Sequence, residues 1–73
     1  SYVIINLNLN EEIEVEELIQ LSSMQIKSME TDILHENFLK IRSEIYKLER
    51  KKERSIDLEI VYCYFEKEIE ERI

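Results

Sequence analysis

The sequence predicts a mainly helical fold: a short N-terminal β-strand followed by two or three amphipathic helices, arranged as a helical hairpin or coiled-coil-like bundle and completed by a second copy of the chain. Three observations carry that expectation. Apolar residues from Leu34 onward recur in alternating steps of four and three. The 73 residues contain no glycine and no proline to interrupt a helix. Charged residues make up 37% of the chain beside a hydrophobic fraction of 44%, the mixture of an amphipathic helix and not of a disordered tail.

A chain of this length forms one domain at most and hides only about 60% of the surface its unfolded form exposes. Small domains therefore lean on disulfides, a metal or a partner subunit. One cysteine, Cys63, and one histidine, His35, leave no intramolecular disulfide and no cysteine-based zinc site to be built. Self-association is the support left, and a homodimer is the expected state, with no cofactor and no metal.

Residues 2–9 place Val3, Ile5, Leu7 and Leu9 on one side and Ile4, Asn6 and Asn8 on the other, the period of two of a half-buried strand. A lone strand leaves its backbone edges unpaired, so it must join a later segment or its copy in another subunit. Asn8 or Asn10 suits a helix cap, and Glu11, Glu12 and Glu14 suit the dipole of a first turn. A bent or broken helix is expected from about 11 to 30, with Val15, Ile19, Ser22, Ile26, Met29 and Ile33 along one stripe and Leu18 and Leu21 widening it. Its break falls near 28–32, where Ser28 or Thr31 with Asp32 offers a new cap, and Ser22-Ser23 offers a rival break point.

Leu34, Phe38, Ile41, Ile45 and Leu48 then form the seam of a helix expected over about 32–53. The next seam positions are Lys52 and Ser55, so the apolar face stops near Leu48. Ser55 caps a terminal helix expected over about 56–72, with Leu58, Val61, Tyr62, Phe65, Ile69 and Ile73 on one face. Ile56, Leu58, Ile60, Tyr62 and Tyr64 also alternate, so an α+β alternative makes 56–65 a second strand paired with 2–9.

No catalytic site is expected. Paired-carboxylate chemistry needs a pocket that drives two pKa values apart, and Glu66, Glu68, Glu70 and Glu71 read as a solvated helix face. His35, Cys63 and an acid have no triad-like spacing, and Asp32, His35 and Glu36 have no diagnostic metal-site spacing. His35 is expected at the edge of the packing face, and Cys63 in the core or at an interface.

The net charge is −7, and it is unevenly spread. Residues 1–26 carry five acids and no base, 27–54 eight bases and six acids, and 55–73 six acids and two bases. Nucleic acid is not an expected partner, and the Lys47–Arg54 cluster, interleaved with Glu49 and Glu53, reads as a solvated helix end that suits the acidic ends of a second copy. The apolar runs are far too short for a membrane span, and the first residues lack the basic flank of a signal peptide, so a cytoplasmic location is expected. Function is then expected to be protein binding by self-assembly, as a scaffold or regulatory subunit. Its interface comprises Val3, Ile5, Leu7, Leu34, Phe38, Ile41, Ile45 and Leu48, with Tyr62, Phe65 and Ile69 closing the core.

Two other roles suit parts of the chain. The strand-helix-helix order resembles the ribbon-helix-helix regulators over about two thirds of the length. That resemblance implies a dimeric transcription regulator or antitoxin, with Ile4, Asn6 and Asn8 as outward side chains of a strand paired across the dimer. The chain departs from that family in having no base before Lys27 and no glycine between the helices. Alternatively, Glu11, Glu12, Glu14, Glu16 and Glu17 with the C-terminal glutamates make an acidic face of the kind that mimics nucleic-acid phosphates and inhibits a binding enzyme.

Overall fold

The computed structural model describes residues 13–73, so the expected strand, its interface residues Val3, Ile5 and Leu7, and the capping residues Asn8 and Asn10 lie outside the described residues. The described part is mainly helical: α1 (Val15–Leu18), α2 (Ser23–Lys27), α3 (Thr31–Arg50) and α4 (Ile56–Glu71), with no strand among the described residues. The α+β alternative for 56–65 is thereby corrected. The Ser55 hydroxyl accepts the Leu58 amide at 3.3 Å, and Leu58, Val61 and Phe65 are buried while Ile56, Ile60 and Tyr64 are exposed. Burial thus follows the helical period and not the alternation.

The helix expected over 11–30 is two short helices, because both candidate break points are used. Ser22 closes a capping box: its hydroxyl accepts the Gln25 amide at 3.3 Å, and the Gln25 side-chain oxygen accepts the Ser22 amide at 2.8 Å. The stripe running through Val15, Ile19 and Ser22 is therefore not continuous. The buried residues of this region are Ile13, Leu18, Leu21, Ile26 and Met29. Ser28 caps the C-terminus of α2, donating its hydroxyl to the Met24 carbonyl, and Glu30 stands at the start of α3 with no side-chain cap.

Helix α3 stops at Arg50, three residues short of its expected end, through a hydrogen-bond pattern that needs a left-handed residue. The Glu53 amide donates to the Leu48 carbonyl at 2.8 Å and the Lys52 amide to the Glu49 carbonyl at 2.9 Å, which is the Schellman arrangement. Lys52 takes the left-handed position with φ 59°, where glycine is usual. Arg54 then grips Glu59 through two hydrogen bonds of 2.9 and 2.6 Å, and the short connection sends α4 back antiparallel to α3 as a helical hairpin.

Leu34 and Ile41 from α3 and Leu58, Val61 and Phe65 from α4 meet the five buried residues of the α1–α2 arm in one core. One polar side chain is buried there. Asn37, with 0% exposure, accepts the Ile13 amide on Oδ1 at 3.2 Å and donates Nδ2 to the Met29 sulfur at 3.8 Å. Lys40 donates to the Ile13 carbonyl at 3.2 Å. Two side chains one turn apart on α3 thus hold both backbone groups of one residue, as a neighbouring strand would.

Two outcomes test this account. Lys52→Gly should stabilise the fold by about 0.5–1 kcal/mol, the left-handed penalty less the glycine chain entropy, read as a higher urea midpoint at unchanged slope. A lower midpoint would mean that the lysine stem contributes more than its backbone costs. Asn37→Leu, although more apolar, should destabilise by roughly 1–3 kcal/mol because it strands the buried Ile13 amide; a neutral result would show that water reaches that amide.

Candidate functional site

The hairpin has two flanks. One is covered: Asn37 and Lys40 face Ile13, and the C-terminal turn of α4 faces α2. There Lys27 lies 3.4 Å from Glu68 and 3.1 Å from Glu71. Arg72 donates to Glu68 at 2.8 Å, to the Thr31 hydroxyl at 3.2 Å and to the Lys27 carbonyl at 2.9 Å. One guanidinium therefore joins the last turn of α4, the first residue of α3 and the final carbonyl of α2.

The other flank carries no helix among the described residues, and it is the candidate site. Phe38 and Tyr62 stack across the hairpin, ring centroids 5.0 Å apart at 27°, and the Arg42 guanidinium carbon stands 5.9 Å from the Phe38 centroid. Beside them Arg42, Ile45, Tyr46, Tyr62 and Cys63 line a groove of about 300 Å³ bordered by Glu49 and Glu59. A smaller depression of about 200 Å³ shares Ile45, Glu49 and Glu59 and runs on past Leu48 toward the Arg54–Ser55 turn. Leu39 and Tyr46, each 51% exposed, extend the apolar strip along α3. Burial, followed by the charge of Glu66, pushes the Tyr62 hydroxyl above the ordinary tyrosine range, so it stays a neutral hydrogen-bond donor at physiological pH.

The residues expected at the interface divide accordingly. Leu34, Ile41 and Phe65 have 0% exposure and are consumed by packing within the chain, whereas Phe38, Ile45, Leu48, Tyr62 and Ile69 are half-buried against the core. Four of these five, Phe38, Ile45, Leu48 and Tyr62, belong to the open flank or its continuation. Arg42 and Tyr46 were missed by seam reasoning, although their i+4 positions after Phe38 and Arg42 place them along the same edge. His35 and Cys63 are exposed, Cys63 on the groove. Among the described residues no three metal-ligating side chains are grouped to hold an ion, and no helix is long and apolar enough to cross a membrane.

No protein-family model matches this chain, and neither does any curated protein or solved structure.

Two ion-paired carboxylates, one on each flank, set an acid dependence. The Arg72 guanidinium, helped by Lys27, holds the Glu68 carboxyl below its ordinary range against partial burial, and Arg54 does the same for Glu59. Both folded-state values lie below the unfolded ones, so their stabilisation is complete above the ordinary carboxylate range and is lost as pH falls through the lowered values. Lys27, raised by Glu71 and then Glu68, has the opposite sign and loses its contribution only above the ordinary lysine range. Urea midpoints should therefore be flat near neutrality and fall below about pH 4.5. Glu68→Gln should lower the plateau and make the acid limb shallower; an acid limb identical to that of the parent would remove Glu68 from the account.

Proposed function

We propose that this chain is a protein-interaction module that works by self-assembly, the open flank of the α3–α4 hairpin docking on a second copy. The observation that supports this reading is the strip of Phe38, Leu39, Ile45, Tyr46 and Tyr62 that no other described residues cover, on a body whose opposite flank is already covered. Aromatic side chains with a polar edge, beside an arginine, are the composition of interface centres. Exposed together in a small domain they form a patch that water solvates poorly.

The size of the flank sets the strength. Two antiparallel helices about 24 Å long and about 9 Å apart present roughly 500 Å² per copy, below the ~800 Å² per partner of a standard stable interface. Association is then reversible and concentration-dependent, as suits a scaffold or a regulatory subunit that exchanges partners.

Light scattering over a hundredfold dilution should give a mass that moves from twice the 8.9 kDa chain mass toward the monomer in the micromolar range. Tyr46→Glu should hold the protein monomeric at every concentration while its circular dichroism and urea midpoint stay near those of the parent, because Tyr46 lies outside the core. A parent chain that is monomeric throughout would overturn the reading.

A further inference from the structure

The bend between α2 and α3 is held from outside and not by its own backbone. Residues 28–30 join the two helices without a glycine or a proline. Ser28 keeps a right-handed helical backbone, φ −83° and ψ −8°, and Glu30, φ −66° and ψ 149°, leaves the helical region through ψ alone. The apolar stripe runs straight through the joint, Ile26, Met29 and Ile33 recurring in steps of three and four. Glu30 gives the first amides of α3 no side-chain cap, although a continuous helix would hand them the last carbonyls of α2. Local chemistry therefore favours one helix over residues 23–50, about 42 Å long. Arg72 opposes it by holding the Lys27 carbonyl and the Thr31 hydroxyl together, and Met29 is buried at the bend against Asn37.

Straightening the joint carries the α1–α2 arm away from its own hairpin and uncovers Leu34, Ile41, Val61 and Phe65. That surface has one known fit, the arm itself. Ile13, Leu18, Leu21 and Ile26 pack into it, Asn37 takes the Ile13 amide, and Glu68 and Glu71 take Lys27. The arm of a second copy brings the same residues to the same contacts, and reciprocal exchange satisfies both copies at once. The two forms differ at the joint. The exchanged one gains a long helix and gives up the contact of Met29 with its own Asn37, which lies about two turns away along a straight helix.

We infer that the closed flank is a second self-association surface, filled by arm exchange: residues 13–27 of one copy pack on α3 and α4 of another, with α2 and α3 fused through residues 28–30. This goes beyond the open-flank reading and does not use that flank. Exchange requires the arm to leave its own hairpin and so to undo the core, which fixes the form during folding. A chain folded dilute stays closed.

The test uses the full chain with Lys27→Cys, Glu71→Cys and Cys63→Ser, in the Tyr46→Glu background that removes the open-flank contact. Lys27 and Glu71 meet at 3.1 Å, so a short bismaleimide joins the two new thiols within one chain when the arm is closed and between two chains when it is exchanged. Chains are refolded from urea at two concentrations a hundredfold apart, diluted equally, cross-linked and run on a denaturing gel. The concentrated refold should give a double-mass band on the order of tenfold stronger than the dilute one. Thr31→Pro should suppress that band by on the order of a hundredfold. Proline suits the first position of α3 and the extended residue before it, but in a fused helix its ring meets the Lys27 carbonyl. Thr31→Val, which loses the same hydroxyl without the ring, should keep the band. Circular dichroism confirms that each variant folds, and the concentration dependence decides alone where one does not. Single-mass product from both refolds would overturn the exchange, and so would a Thr31→Pro chain that keeps the band. A parent chain that is monomeric by light scattering overturns the open-flank reading and leaves this result untouched.

Discussion

A helix of four or five residues has no standing of its own in water, since helices below about 12–15 residues are marginal even in favourable sequences. Helices α1 and α2 therefore exist only as far as the long hairpin holds them, and the fold depends on the two places where it does so. At one, Asn37 and Lys40 take the amide and the carbonyl of Ile13. At the other, Arg72 takes the last carbonyl of α2, where a cation also complements the negative end of the helix dipole. Between these two anchors Leu18, Leu21, Ile26 and Met29 press onto the hairpin and complete a core that neither layer could build alone.

These anchors are polar, and that shapes what they do. Net contributions of individual hydrogen bonds are modest, but a buried donor left without a partner is costly. Asn37 therefore acts less by adding stability than by penalising every other placement of Ile13. The same holds for Arg72, whose three partners sit on three helices and are satisfied together only when those helices are in register. Apolar packing gives the α1–α2 arm a reason to fold back, and the polar contacts choose where it lands.

This division explains which features could be read from the sequence. The hairpin was legible because its information is local: the four-three spacing from Leu34 to Leu48, and Ser55 placed to cap the terminal helix. The two breaks before Thr31 were only half legible. Without glycine or proline, each break rests on a serine whose side chain competes for backbone hydrogen bonds, and several serines offered themselves. The Ser22–Gln25 spacing carried the capping-box signal. Lys52 was not legible, since nothing about a lysine announces a left-handed backbone. Asn37 falls inside the apolar stripe, three residues after Leu34 and four before Ile41, a position where a short amide is more informative than any exposed charge. Arg72 meets its partners 41 and 45 residues away in sequence, and no periodicity encodes such a contact.

The closed and open flanks also bear on the competing roles. A phosphate-mimicking surface needs carboxylates that are free to meet cations, yet Glu68 is paired with Lys27 and Arg72, and Glu71 with Lys27, within the chain. Of the acids exposed at that end, Glu66 stands near Tyr62 of the aromatic strip, so acid and apolar surface are presented together there. The strand on which a ribbon-helix-helix role turns lies outside the described residues. Among the described residues, helices α1 and α2 cover one flank of the hairpin and no helix lies on the other. Of those residues, Leu39 and Tyr46 are exposed and Tyr62 is half-buried along one edge of the hairpin, while Ile56, Ile60 and Tyr64 are exposed on other parts of α4.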